Sequence, residues 1–372
     1  MTERDPDLLM RQCIQKIATG PELSKDLSFE EARDATALIL DEKVHPVQAG
    51  VFFIALRMKR ETDDENRGVL QAVLDATDTQ VAEVEEVVDL ADPYDGFTKS
   101  LPASPFLPAV LAACGVPAVS HGLERVGPKF GATHRQVLRA AGIEVDLSPT
   151  QAAQRVSDPD TGWAYVDQKA FCPKLHRLVP LRTLIVKRPC LSTVEVLAGP
   201  VRGRQKTHLV TGYVHKPYPR VYALLARHAG FDSALLVRGV EGGIIPSLQQ
   251  TGKVFFYHDR GEEQPMEVDP SALGIQQTVR AAPLPPDIPK AEGGDEITAA
   301  VDTHALAQAA AERGMAALRG EKGPTYDALV YGGALCLYHL RRHATLPEAA
   351  EAVRHVLDSG EAHRRFACLS LS

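Results

Sequence analysis

The sequence predicts an α/β protein with a small all-helical domain at its amino end, and three observations carry that reading. Between Val87 and Ser120 lies a βαβ unit: short buried strands at Val87 to Ala91 and Pro117 to Ser120 flank an apolar helix from Pro105 to Cys114, which Ser104 and Pro105 open as N-cap and first helical residue. From Leu8 to about Thr77, helical periodicity alternates with cap signals. The 372 residues, 44% hydrophobic and 24% charged, suffice for a large core and two domains. We therefore expect a helical domain over 1–78 and an α/β domain over 79–372, with a mainly parallel central sheet flanked by helices.

Within the helical part, Ser28-Phe29-Glu30-Glu31 and Thr62-Asp63-Asp64-Glu65 fit the capping box, in which a hydroxyl and a glutamate satisfy each other's backbone N–H groups. Between them, His45-Pro46 opens a helix from Val47 to Lys59 that is apolar on nearly every side, so it is either buried in its own monomer or covered by a second copy. Beyond the βαβ unit, Lys129-Phe130-Gly131 precedes a helix from Thr133 to Ala141, and Ile143 to Leu147 reads as a strand. A helix from Tyr222 to Ala229 leads through Gly230 into a buried strand at Ala234 to Val237, and Lys253 to Tyr257 is another strand. Residues 281–295, with Pro283, Pro285, Pro286, Pro289 and Gly293-Gly294, form a connection too proline-rich for a regular element. Helices over Ala299 to Arg313, Ala328 to His343 and Leu346 to Leu357 close the chain.

Several function classes are set aside by composition. No apolar run approaches the roughly 18 residues of a membrane span, and the charged opening is unlike a signal peptide, so a cytoplasmic protein without membrane partners is expected. The six cysteines stand singly, without C-x-x-C spacing, and read as small buried apolar residues. His339 and His343 share a helix face but lack the glutamate of H-E-x-x-H, and read as exposed. No G-x-S-x-G nucleophile motif occurs.

The net charge of −7 conceals an asymmetry: residues 168–220 hold eleven Lys and Arg against Glu195 alone, leaving −17 on the remainder. A window this basic in an acidic protein favours an anionic ligand. In open α/β sheets ligands sit beyond the carboxyl ends of the strands, which points to the loop after Ala91 and to a turn at His121-Gly122.

The βαβ stretch resembles the phosphoribosyl-pyrophosphate region of the anthranilate phosphoribosyltransferase family, glycosyltransferase family 3, whose relatives include the nucleoside phosphorylases. Asp89, Asp95-Gly96, Ala112-Ala113-Cys114-Gly115 and His121-Gly122 match its D-x-V-G-T-G-G-D-G, A-A-A-G and K-H-G-N-R motifs; Asp92-Pro93-Tyr94 replace the glycine loop, and Ser120, Leu123 and Glu124 the lysine, asparagine and arginine. Phe171-Cys172-Pro173-Lys174-Leu175-His176, residues 191–200, residues 323–335 and residues 349–363 are similar to later family motifs, so the likeness spans nearly the whole chain. The family's acceptor-binding arginine falls on Val186 without a gap and on Arg182 with one, beside Lys187 and Arg188. In the turn Arg238 to Ile245, Ile244 and Ile245 stand where the family has the Asp-Glu pair that holds magnesium, and Glu241 reads as a solvated turn residue.

The resemblance implies the nucleoside phosphorylase and phosphoribosyltransferase fold, a homodimer formed through the helical domain, and a segment near 168–190 packed back towards that domain. It places a phosphate or ligand site at Asp95, Gly96, Lys99, Ser100, His121, Gly122, Lys129 and Arg182, with Lys129-Phe130-Gly131 offering backbone N–H groups to a phosphate. The altered motifs are most similar to a nucleic-acid-binding paralogue group, which, with the basic window, nominates Lys187, Arg188, Arg202, Arg204, Lys206, Lys216 and Arg220 for phosphate-backbone contact. No metal or cofactor is expected and the catalytic residues are left unassigned; magnesium with phosphoribosyl pyrophosphate would enter only if the chain were an active transferase on an acceptor other than anthranilate. A phosphorylated small molecule is the remaining partner class.

Overall fold

A computed structural model of the chain describes residues 5–20, 22–292 and 300–370. Four helices come first: α1 (Pro6–Ile17), α2 (Phe29–Leu40), α3 (Pro46–Lys59) and α4 (Asp63–Asp75). Both expected capping boxes form, and His45 caps α3 in the same reciprocal way. Glu65 does more than cap. Its buried carboxylate accepts from the N–H groups of Thr62 and Leu27 at 2.8 Å each and meets Lys59 Nζ at 2.9 Å, so one side chain fixes the start of α4, the entry to α2 and the end of α3. Helix α3 turns Ala49, Phe52, Phe53 and Leu56 inward. Its opposite stripe, at the i, i+4, i+11 spacing of one helical face, leaves Val47, Val51 and Met58 65%, 41% and 76% exposed.

Among the described residues nine strands follow: β1 (Gln80–Val81), β2 (Glu86–Ala91), β3 (Ala118–Gly122), β4 (Trp163–Asp167), β5 (Val201–Arg202), β6 (Lys206–Gly212), β7 (Ser233–Val237), β8 (Gly252–Tyr257) and β9 (Gln264–Val268). Strands β1 and β5 form a short parallel pair, and the other seven make one sheet in the order β4-β3-β2-β6-β7-β8-β9. The first five of that order run parallel; β8 and β9 are added antiparallel at one edge.

The parallel strands are buried on both faces, as helices covering each side of such a sheet require. Val87, Ala91, Val119, Leu209 and Leu236 face a core shared with α1 to α4 and the helix Tyr218–His228. Val88, Leu90, Ala118, Val210 and Leu235 face a second core built with the helices Leu107–Ala113, Thr303–Leu318, Pro324–His339, Leu346–Asp358 and Glu361–Ala367. Three short helices, Gln168–Phe171, Pro173–His176 and Val179–Ile185, lie against the helical domain: Lys174 pairs with Asp41 at 2.7 Å, Arg177 with Glu42 at 3.0 Å, and Cys172 Sγ reaches the Ala76 carbonyl at 3.5 Å.

Several expectations are corrected. His121 and Gly122 are the last residues of β3 and form no turn. Ile143 to Leu147 is no strand; Ile143 makes only an isolated bridge to Ser370, because β4 takes the place beside β3. Strand β6 was hidden by its polar members, of which Thr207, His208 and Thr211 are buried. His339 is buried too, its Nε2 at 2.8 Å from Ser233 Oγ at the start of β7. Four of the six cysteines are buried, but Cys114 is half-buried and Cys368 exposed. Residues 281–292 contain no helix or strand, whereas Gly293 to Ala299 lie outside the described residues; the next helix begins at Thr303, capped by Asp302.

Candidate ligand cleft

The carboxyl ends of β3, β2, β6 and β7 share one edge of the sheet, and the loops leaving them meet there. Asp92, the first residue after β2, is buried and fully committed: its carboxylate accepts from the Ile244 N–H at 2.8 Å, from Ser104 Oγ, and pairs with His134 Nε2 at 2.7 Å. The loop after β2 is thereby tied to the turn after β7. Gly96 sits at φ +72°, and a methyl group there would come within 2.5 Å of the Ala132 carbonyl, so the residue has to be glycine for Phe97 and Ala132 to bridge.

That crossing consumes the Gly131 N–H at the end of the Lys129-Phe130-Gly131 turn, and the Phe130 N–H donates to the Val126 carbonyl at 3.3 Å. Gly131 donates to the Asp95 carbonyl and Ala132 to that of Phe97, both at 2.8 Å, so they are not free for a phosphate. Lys129 contributes its ammonium instead, 4.0 Å from Asp95 and 3.6 Å from Glu241, over the Phe97 ring.

Glu241 is the residue that the sequence misjudged. It is no solvated turn residue: its side chain is 8% exposed and its backbone is left-handed at φ 55°, ψ 17°. The carboxylate accepts from the Thr98 N–H at 2.9 Å, Thr98 Oγ1 at 3.3 Å, the Lys99 N–H at 3.0 Å and Ser100 Oγ at 2.8 Å. Consecutive amides, two hydroxyls and an ammonium thus converge on one anion. The signal available in the sequence was a lone acid among glycines, Gly239 to Gly243, in a turn so tight that a methyl at Gly239 would strike the Gly243 carbonyl.

Of the nominated ligand residues, Asp95, Gly96, Lys99, Ser100 and Lys129 do come together here. Asp95 is held by Arg188, whose Nε donates at 3.0 Å. His121 is withdrawn from the cleft: its Nε2 is 2.7 Å from Asp89 and its Nδ1 bonds Tyr94, whose phenol burial holds neutral well above its ordinary range. Gly122 is buried beside the Tyr165 hydroxyl. Arg182 is no acceptor-binding residue either. It is 2% exposed and forms a bidentate pair with Glu195 at 2.6 and 2.7 Å, with Ser192 adding a third contact, so its charge is spent inside the protein.

The basic window is divided in the same way. Arg202 stacks over Phe231 at 4.1 Å and donates to the carbonyls of Gly199 and Ala229, closing the helix Tyr218–His228. Arg204 meets Glu83 and Glu85, Lys206 meets Asp259, and Arg220 forms a two-bond pair with Asp63. Lys187 and Lys216 are exposed with no ion partner among the described residues, as are Lys99 and Arg238, the latter unflagged by sequence. Lys187 adjoins Arg188; Lys216 and Arg238 leave β6 and β7, and Val214 packs near Gly242.

Could this cleft hold magnesium? Among the described residues no group of three or more His, Cys, Asp or Glu could hold a metal ion. Ile244, buried, and Ile245 offer no oxygen, and Asp92 and Glu241 are already saturated by donors.

Fold and cleft together define a two-domain protein of the phosphoribosyltransferase type. Residues 11–77 match the glycosyl transferase family helical bundle domain and residues 98–284 its a/b domain. The chain belongs to this family, glycosyltransferase family 3, alongside the anthranilate phosphoribosyltransferases. It is 28% identical over 357 residues to the anthranilate phosphoribosyltransferase of Sphingopyxis alaskensis, covering 95% of this chain and 98% of that one, and 27% identical over 271 residues to an uncharacterized protein of Aquifex aeolicus, covering 72% and 79%. In fold it is similar to the Saccharomyces cerevisiae anthranilate phosphoribosyltransferase in complex with PRPP and Mg, with a TM-score of 0.74 at 17% identity over 98% of this chain and 97% of that one.

Proposed function

We propose that this protein uses the transferase scaffold to bind a phosphate-rich polyanion, nucleic acid foremost, across the mouth of the cleft, and does not make phosphoribosyl anthranilate. The observation that carries the reading is the cleft's division of charge: the inner anion-binding donors are filled by Glu241, while Lys99, Lys187, Lys216 and Arg238 stand exposed and unpaired on the loops outside it. Cations spread over several loops suit a chain of phosphates better than one small ester, and they act through counterion release. Phosphoryl and pyrophosphoryl leaving groups need charge neutralisation in the transition state, and Ile244 and Ile245 supply none.

The test is a binding comparison on the purified protein: single- and double-stranded oligonucleotides at two salt concentrations, against phosphoribosyl pyrophosphate with magnesium. Oligonucleotide affinity should fall steeply with salt. The Lys99→Glu, Lys187→Glu, Lys216→Glu variant should lose binding and flatten the slope by about one unit per contact removed. Wild-type protein that ignores oligonucleotides at low salt ends this reading, and turnover of phosphoribosyl pyrophosphate with an acceptor would favour an active transferase on a substrate other than anthranilate.

A further inference from the structure

We infer that the Glu241 carboxylate is an internal stand-in for a ligand's phosphate, so that the Thr98 to Ser100 loop with Lys129 is a phosphate subsite closed by the protein's own side chain. The inference rests on the reading that the mouth takes phosphate groups, and adds to it a specific residue that opposes binding.

Three features separate Glu241 from an ordinary loop staple. The groups that contact it are donors: the amides of Thr98 and Lys99, the hydroxyls of Thr98 and Ser100, and the Lys129 ammonium, which it shares with Asp95 at 4.0 Å. Consecutive amides aimed at one point, with hydroxyls and a lysine, are a general means of holding an oxyanion. The carboxylate reaches them from a remote part of the sequence, on the turn after β7, and does so from a left-handed backbone that a non-glycine residue adopts at a cost. Of its neighbours on the turn, Gly239, Gly242 and Gly243 carry no side chain and Val240 is apolar, so none could present another anion to these donors. A phosphate entering the loop has to displace this anion, since two negative groups cannot share the same donors. Occupancy would therefore release Glu241 from Thr98, Lys99 and Ser100 and loosen a link between the loops after β2 and β7, leaving Asp92 to Ile244 as the remaining tie named above.

The experiment measures inorganic pyrophosphate binding by calorimetry without magnesium. Glu241→Gly removes the carboxylate and suits the positive φ, and should bind pyrophosphate at least tenfold more tightly than wild type; adding Lys129→Ala should cancel most of the gain. Glu262→Gln, which removes one exposed negative charge elsewhere, should change nothing, separating displacement from net charge. If Glu241→Gly does not fold, Glu241→Gln carries the same comparison. A folded Glu241 variant with unchanged pyrophosphate affinity, or a gain that Glu262→Gln reproduces, overturns the inference. Oligonucleotides on the same variants distinguish the phosphate source: equal strengthening places a backbone phosphate in the loop, strengthening for pyrophosphate alone restricts the subsite to small phosphates. Loss of oligonucleotide binding in wild type would refute the polyanion reading while leaving the pyrophosphate result to stand or fall by itself.

Discussion

Single residues in this protein divide between those whose charge is consumed by the fold and those left for a ligand. Arg182 belongs to the first kind. Removing one partner of a buried ion pair strands the other, so Arg182→Ala should cost about 3–5 kcal/mol in urea unfolding while leaving oligonucleotide affinity of the surviving folded protein unchanged; a cost under about 1 kcal/mol would mean that Glu195 has another partner. Arg202→Glu is likewise expected to destabilise, having lost a cation–π contact and two carbonyl bonds worth about 2 kcal/mol together, so a variant reversing Arg202, Arg204 and Lys206 at once reports on folding before binding. His339 provides a pH signature. Burial, joined by the charges of His258, His208 and Arg341, holds its pKa well below the ordinary 6.5, and burial lowers that of His208 despite its bond to Glu86. The unfolded chain takes up these protons near 6.5 and the folded one does not, so stability is full above that pH and is lost as pH falls below it. Melting temperature should drop between pH 7 and 5, and less steeply in His339→Gln.

Among the elements, α3 raises the question of assembly. Its inward face is packed as the sequence suggests, yet its outward stripe of Val47, Val51 and Met58 is bare, with Leu184 of the adjacent helix 80% exposed. Exposed apolar side chains gathered along one helix face are more often covered than wet. We propose that a second copy covers it. Light scattering should show a dimer at micromolar concentration, and Val51→Glu with Met58→Glu should give a folded monomer; a wild-type monomer would sink the proposal. The loop after β2 illustrates the opposite case, an element with almost no regular structure that is nonetheless fixed, by Asp92 to the Ile244 N–H, by Phe97 to Ala132 and by Glu241 to Thr98, Lys99 and Ser100.

At the scale of the whole molecule, the sheet carries its cleft where any open parallel sheet does, beyond the strand carboxyl ends, and family membership does not by itself fix the chemistry performed there. Purified protein given anthranilate, phosphoribosyl pyrophosphate and magnesium should yield no phosphoribosyl anthranilate, and a calorimetric titration with magnesium and phosphoribosyl pyrophosphate should be flat. Robust turnover would show that oxygens other than those of Asp92 and Glu241 hold the metal.

Local signals settled the outline. Capping boxes at Ser28 and Thr62, the βαβ unit around Asp89 and the apolar run at Ala234 are each written within a few consecutive residues, so the two-domain α/β architecture could be read directly. Strand β6 could not, because burying His208 and Thr211 depends on partners at Glu86 and Ala91 that only the sheet brings near, and the Thr207 N–H likewise finds Asp232 only in the fold. The same holds for charge. A count along the chain sees eleven cations in one window, but whether each is free is decided by acids far away in sequence: Asp63 for Arg220, Asp259 for Lys206, Asp95 for Arg188. Glu241 is the extreme instance, since its immediate neighbours, Val240 and Gly242, offer it no polar partner and every group that defines its role lies more than a hundred residues away, across the edge of the sheet.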